Sequence, residues 1–162
     1  MERSTVTLRA ARADDADFLY CLYASTRADE LAGLGWTDAE REAFLRMQFE
    51  AQQRHYRAHF PAARFDVIEL AGTPIGRLTV ERSADAIHVI DIALLPESRG
   101  QQIGGGLLRE IQDEAAASGQ TVRIRVERRN PASRLYQRLG FTPVRDEGIH
   151  LLLEWAQAKT AS

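Results

Sequence analysis

The chain has 162 residues, a formal net charge of −2, 44% hydrophobic residues and 27% charged residues. That length suits one domain, spanning 1–162, with a full core, and the absence of long basic or acidic runs argues against nucleic-acid or membrane-surface binding. A single cysteine, Cys21, excludes an internal disulfide framework, MERSTVTLRA has no apolar signal core, and no stretch approaches the roughly 20 apolar residues of a membrane span, so a cytoplasmic location is expected.

Thr5–Ala11 alternates Val6 and Leu8 with polar residues and predicts a short strand. Asp14 or Asp15 then suits the cap of a helix with Phe18, Leu19, Leu22 and Tyr23 as its apolar stripe. Cys21 beside that stripe reads as a small core hydrophobe rather than a nucleophile. Ala28–Trp36 reads as a loop. Thr37 or Asp38 opens the longest helical pattern, with Leu45, Phe49, Tyr56 and Phe60 along one side. His55 and His59 lie one helical turn apart, but no third ligand sits nearby in sequence, so they read as surface residues and no metal is expected.

After Pro61 the period changes. RFDVIEL predicts a strand, AGTP a turn and IGRLTVER a second strand. Ala86–Leu95 is almost wholly apolar, as a central strand covered on both faces would be. A glycine-rich stretch follows, then a helix with Leu107, Leu108, Ile111 and Ala115 as its buried stripe and Gly119 at its end. TVRIRVE alternates as a strand. NPASRLYQRLG is a compact helix, with Asn130 suited to the cap, Pro131 to the first turn and Gly140 to the position after its end. FTPVRDEGIHLLLEW predicts two strands around Asp146–Gly148. The order β–α–α–β–β–β–α–β–α–β–β makes a mixed α/β domain.

The stretch PESRGQQIGGGLLREI poses the functional question, because a glycine inside a helix costs about 1 kcal/mol relative to alanine. A strand, a glycine-rich turn and a helix start form an anion site: the first helical N–H groups lack internal partners, and the helix dipole adds positive potential there. A phosphate-bearing ligand is therefore the expected tenant. A P-loop needs Lys and Ser/Thr after its last glycine, whereas Gly106 is followed by Leu107 and Leu108. A dinucleotide fingerprint needs G-x-G-x-x-G in a first βαβ unit. Gly104 and Gly106 supply only G-x-G, in mid-chain, although Glu127 does lie near the end of the next strand.

The segment LLPESRGQQIGGGLL resembles the pyrophosphate-binding motif Q/R-x-x-G-x-G/A of the GNAT superfamily of acyl-CoA N-acyltransferases. Leu94, Leu95, Pro96, Arg99, Gly100, Ile103, Gly104 and the Leu107–Leu108 pair stand at the family spacing. Gln102 replaces the motif's first glycine. A register shifted to Gln101, Gly104 and Gly106 also matches but misplaces the helix leucines. Separately, VERRNPASRLYQRLGF is similar to the family's later segment N-x-x-A/S-x-x-Y-x-x-x-G-F, through Asn130, Ser133, Tyr136, Gly140 and Phe141.

The resemblance implies the GNAT fold, a twisted, mostly antiparallel sheet of six or seven strands flanked by about four helices. It implies acetyl-CoA as acyl donor and direct transfer to a primary amine of a small molecule or peptide. The cofactor-binding positions it implies are Leu94, Leu95, Arg99, Gly100, Gln101, Gln102, Ile103, Gly104, Gly105, Asn130 and Tyr136. The backbone N–H of Leu94 would polarise the thioester carbonyl, and Tyr136 would protonate the leaving thiolate; Tyr136 also fits a plain core position. For the base, His88 lies six residues before Leu94 on one strand, with Asp91, Glu81 or water as alternatives. Arg123, Arg125, Arg128 and Arg129 read as a solvated face or as further holders of the CoA phosphates. The resemblance places acceptor choice in Arg27–Trp36, where Glu30 and Trp36 stand out, and implies a homodimer through the terminal strands. A non-catalytic acyl-CoA sensor, and a transferase of another acyl group, fit the same motifs.

Overall fold

The computed structural model describes residues 5–128 and 133–157. Among these residues seven strands form one sheet in the order β1-β2-β3-β4-β5-β7-β6, with four helices, the mixed α/β architecture that the sequence predicts. The chain divides into two compact units: Met1–Leu78 with Ala93–Arg99, and Thr79–Ile92 with Gly100–Ser162.

In the first unit, β1 (Val6–Ala10) pairs antiparallel with β2 (Arg64–Leu70), Leu8 lying opposite Ile68. Arg9 on β1 donates to Asp15 at 2.7 Å and to Glu69 at 3.0 Å. The buried Asp15 also accepts the Arg12 N–H at 2.7 Å, so it closes the single 3-10 turn Ala13–Asp15 and makes no side-chain cap on the helix that follows. That helix, α1, spans Ala16–Leu31 and so takes in the first residues of the expected loop. The helix-favouring run Ala28–Leu31 continues because Leu31 is buried with Tyr20, Tyr23 and Leu45. A 3-10 turn, Ala32–Leu34, and a left-handed Gly35 end it. Cys21 is exposed, contrary to the core reading: α1 buries Tyr20, Leu22, Tyr23 and Leu31, and position 21 faces outward.

Helix α2 (Asp38–His59) starts at Thr37, whose Oγ1 accepts the Glu40 N–H at 3.1 Å in a capping box. Leu45 is its buried residue, and Phe49 packs edge-on against Tyr20. Strand β3 (Thr73–Arg82) begins two residues before the expected start at Ile75, after a turn in which Ala71 and Gly72 both have positive φ.

In the second unit, β4 (Ala86–Leu94) contributes its first seven residues, with Ile87 and Val89 fully buried. Farther along, Ile90 and Ile92 are only half-buried, so the strand is less covered than its apolar sequence suggests. Helix α3 (Ile103–Ser118) buries Leu107, Leu108, Ile111 and Ala115, and ends on left-handed Gly119. Strand β5 (Thr121–Glu127) alternates strictly, with Val122, Ile124 and Val126 inside. The Gln112 side-chain amide on α3 donates to the Leu139 carbonyl at 2.8 Å, just past α4 (Ser133–Arg138). Strands β6 (Thr142–Asp146) and β7 (His150–Trp155) form the antiparallel terminal hairpin, and β7 pairs antiparallel with β5.

Candidate active site

Strands β4 and β5 run parallel, but their pairing covers only Ala86–Val89 against Thr121–Ile124. Beyond that point, among the described residues, Ile90–Ile92 and Arg125–Glu127 do not pair with each other. A sheet interior that loses its ladder leaves peptide groups in need of other partners. An extended ligand with its own amides meets that need.

In the first unit the end of β4 is fixed tightly. The Leu95 N–H donates to the Ile75 carbonyl at 2.8 Å, and the Ser98 N–H donates to the Leu95 carbonyl at 2.9 Å. Gly76 on β3 lies against this end: a Cβ there would run into the Ala93 carbonyl oxygen and come within 2.8 Å of the Leu94 side chain. Glycine inside a strand marks such a close approach. Of the expected cofactor contacts, Leu94 and Leu95 are half-buried, and exposed Arg99 donates its Nε to the Leu94 carbonyl at 3.0 Å. Arg99 thus clamps the turn whose backbone would present Leu94.

In the second unit the chain enters α3 through two left-handed residues, Gly100 at φ 75° and Gln102 at φ 64°. Gln102 is exposed and makes no side-chain cap, so the left-handed backbone that would suit the motif glycine is adopted by a residue with a side chain. The Gly106 N–H bonds to the Gln102 carbonyl at 3.0 Å, so the helical ladder starts there and the earlier amides precede it. The three consecutive glycines divide in role. A Cβ on Gly105 would touch Leu135 of α4 at 3.4 Å, whereas one on Gly106 would meet nothing within 4 Å. Gly105 is thus a helix-packing position, Gly106 borders open space, and Ile103 is buried beneath the turn with Gly104 half-buried beside it.

Tyr136 on α4 is 4% exposed and stands edge-on to Phe141 with ring centroids 6.1 Å apart. Burial first, and then the negative charge of Asp91, push its phenol up to about 12. It is a packed residue and at the same time a hydroxyl that stays protonated. His88 lies opposite Arg123 in the β4–β5 register. Burial, Arg125 and Arg123 lower its pKa below the ordinary 6.5, against a smaller pull upward by Glu81 that ranks between the two arginines. The imidazole is therefore neutral at pH 7. Asn130, Pro131 and Arg129 lie outside the described residues.

The arginines around β5 carry ion pairs: Arg123 with Glu154 at 3.1 Å, Arg125 with Glu147 at 2.8 Å, and Arg128 with Asp146. Glu30 is exposed and faces Arg27 at 3.6 Å, while Trp36 packs edge-on to Phe44 at 5.0 Å. His55 and His59 stack at 4.1 Å. Sequence reading missed Gly76, although a glycine interrupting the strand pattern IGRLTVER was a usable signal.

A family model for the acetyltransferase (GNAT) domain matches residues 61–143, about half the chain, and includes β4, the glycine turn and Tyr136. The chain belongs to the GNAT family. Across 94% of its length this GNAT chain is 27% identical to a provisionally assigned ribosomal protein bS18-alanine N-acetyltransferase of Bacillus subtilis (strain 168), covering 96% of that protein. The PaiA N-acetyltransferase of Thermoplasma acidophilum, solved in complex with coenzyme A, is similar at TM-score 0.69 and 19% identity, over 94% of this chain and 99% of that one. An acetyltransferase from Thermus thermophilus is similar at TM-score 0.65 and 20% identity, over 94% and 97% of the two chains. These structures share the fold. Among the described residues no helix is long and apolar enough to cross a membrane.

Proposed function

We propose that this GNAT chain is an acetyl-CoA-dependent N-acetyltransferase, working as one domain over residues 1–162, whose acceptor is a primary amine on a small molecule or peptide. The observation that carries the reading is the lost pairing of β4 and β5 after Val89 and Ile124, in the unit that also holds the glycine turn and the protonated Tyr136. The lost ladder suits the amide-bearing pantetheine arm, and first-turn N–H groups suit a pyrophosphate. In this assignment Gly100, Gln101, Gln102, Ile103, Gly104 and Gly105 supply the cradle, Arg99 and Leu95 shape its entry, and Asn130 bonds the arm.

The chemistry follows from what must move. The acceptor nitrogen attacks the thioester carbon, a C–N bond forms, the C–S bond breaks, and no covalent enzyme intermediate is formed. The Leu94 N–H polarises the carbonyl oxygen. Neutral His88 takes the amine's proton, directly or through water, with Asp91 and Glu81 as the alternative bases. Tyr136 donates to the departing sulfur. A phenol near 12 lies about 3.5 units above an ordinary thiol, so full transfer from it is uphill by roughly 5 kcal/mol. Tyr136 therefore acts first as a hydrogen-bond donor, with net protonation completed by the proton that the amine releases. A cytoplasmic location and a homodimer belong to the same reading; exposed Val144 and Ile149 on the terminal hairpin suit the latter.

Calorimetric titration with acetyl-CoA, CoA and a longer acyl-CoA tests it, beside Gly104→Glu, which puts a carboxylate where the pyrophosphate belongs. Micromolar binding that the variant abolishes, followed by thiol release with an amine panel, is the expected result. Binding without turnover on any amine would identify a sensor, and tighter binding of the longer chain another acyl donor. No binding at all would refute the cradle.

A further inference from the structure

One buried polar side chain of the second unit has no part in the transfer chemistry. Gln112 is 7% exposed and lies on the inner stripe of α3, with Leu108, Ile111 and Ala115. An amide there costs more to bury than a leucine unless its hydrogen bonds are made. Its Nε2 donates to the Leu139 carbonyl at 2.8 Å. That bond completes a helix end. The Phe141 N–H donates to the Tyr136 carbonyl and the Gly140 N–H to the Gln137 carbonyl, both at 3.0 Å, around a left-handed Gly140 at φ 91°. This is the Schellman pattern, with Tyr136 and Phe141 as its apolar pair, edge-on at 6.1 Å. The pattern does not use the Leu139 carbonyl, and Gln112 takes it.

A second contact ties α4 to α3. Leu135 comes against Gly105 in the first turn of α3, where a Cβ would meet the Leu135 Cδ1 at 3.4 Å. The two contacts lie about two turns apart on α3 and about one turn apart along α4. Two separated points fix a helix in direction as well as in position. Helix α4 has six residues, Ser133–Arg138, too few to be stable alone, so these ties decide where its side chains point.

We propose that Gln112 is a positioning residue for Tyr136: its amide locks the end of α4 onto α3 and so holds the phenol hydroxyl where the leaving sulfur can use it. The proposal rests on the reading of Tyr136 as hydrogen-bond donor to the thiolate, but the lock itself does not. A hydrogen bond to the sulfur depends on placement at the scale of about 1 Å. A loosened α4 therefore slows transfer, while the cofactor's hold stays with the backbone amides at the start of α3.

Two variants of the full chain loosen the lock from opposite sides. Gln112→Met keeps the side-chain length and removes the donor. Gly140→Ala puts a side chain on left-handed backbone, with its Cβ 3.2 Å from the Trp155 ring. Each is made in the wild-type and Tyr136→Phe backgrounds, and kcat for thiol release is expressed per acetyl-CoA-binding site found by titration, so that misfolded protein does not count. In the wild-type background kcat should fall by about threefold to tenfold, and by no more than Tyr136→Phe itself costs, at unchanged acetyl-CoA Kd. In the Tyr136→Phe background neither substitution should lower kcat further. Amide hydrogen exchange needs no turnover: in Gln112→Met it should quicken about fivefold or more at Gly140 and Phe141 and hold at Leu108. A Gln112→Met kcat per site equal to wild type, or one that falls equally in both backgrounds, overturns the proposal and leaves the transferase reading intact. Unchanged exchange at Gly140 and Phe141 overturns the lock itself. Wild-type protein that binds no acetyl-CoA overturns the transferase reading and the catalytic half of the proposal, and faster exchange in Gln112→Met then still upholds the lock.

Discussion

Gln102→Gly should make this protein more stable. Gln102 sits at φ 64° and ψ 13°, in the left-handed region, as the residue before the first turn of α3. An L side chain costs roughly 1–2 kcal/mol there. Glycine removes that cost but loses more freedom on folding, which takes back roughly 0.4–1 kcal/mol. The side chain is exposed and makes no cap bond, so little else is lost. The net gain is about 0.5–1 kcal/mol, and at roughly 2–4 °C per kcal/mol for a chain of this size Tm should rise by about 1–4 °C. Urea unfolding of wild type, Gln102→Gly and Gln102→Ala separates backbone from side chain. Alanine keeps the left-handed cost, so its midpoint should stay near wild type while that of glycine rises at constant m. The acetyl-CoA Kd should stay within a few-fold, because the cradle amides keep their positions. A glycine variant that is less stable than wild type, or no more stable than the alanine variant, would refute the argument from φ.

Gly76→Ala should cost about 1–3 kcal/mol and lower kcat, because its methyl displaces the β4 end that carries Leu94; a midpoint unchanged in urea would remove that link. Tyr136→Phe should lower kcat by roughly 10–10²-fold at unchanged acetyl-CoA Kd, the scale of one hydrogen bond to the departing thiolate, whereas unchanged kcat would leave Tyr136 as packing alone. The acid limb of kcat/KM should fall below pH 6.5, since burial and Arg125 hold His88 neutral, and the limb should vanish in His88→Gln. A limb that survives in that variant passes the role to Asp91 or Glu81. Asp15, hydrogen-bonded by Arg9, is held down to about 2 from 3.8, so its contribution is complete above roughly pH 4 and disappears as pH falls through about 2. Asp15→Asn should therefore cost about 1–2 kcal/mol at pH 7, allowing for solvent screening, and nearly nothing at about pH 2, as read by chemical denaturation at both pH values.

What the sequence disclosed follows from the range of each interaction. The Thr37 cap of α2, the end of α3 at Gly119 and the alternation of β5 are set by neighbours within four residues, and all three were legible. The glycine turn was legible for the same reason, since left-handed backbone at Gly100 and a helix start at Ile103 are local properties. The end of α1 was not, because Leu31 stays helical through burial against Leu45, fourteen residues away on another helix. The exposure of Cys21 was not legible because its residue type favours burial, whereas the helix period turns it about 100° from Tyr20 and about 160° from Tyr23. The opening between β4 and β5 depends on where a ladder stops, which no single segment encodes. Charge environments are less local still. Tyr136 owes its persistent proton partly to Asp91 on another element, and His88 owes its neutrality partly to arginines on the neighbouring strand. Motif reading thus reaches local backbone geometry, such as the turn into α3, before the charge surroundings of side chains such as Tyr136 and His88. Arg77 makes the point: in IGRLTVER it reads as one more polar residue of an alternating strand. Only the fold buries it and brings Gln52 to it across 25 positions.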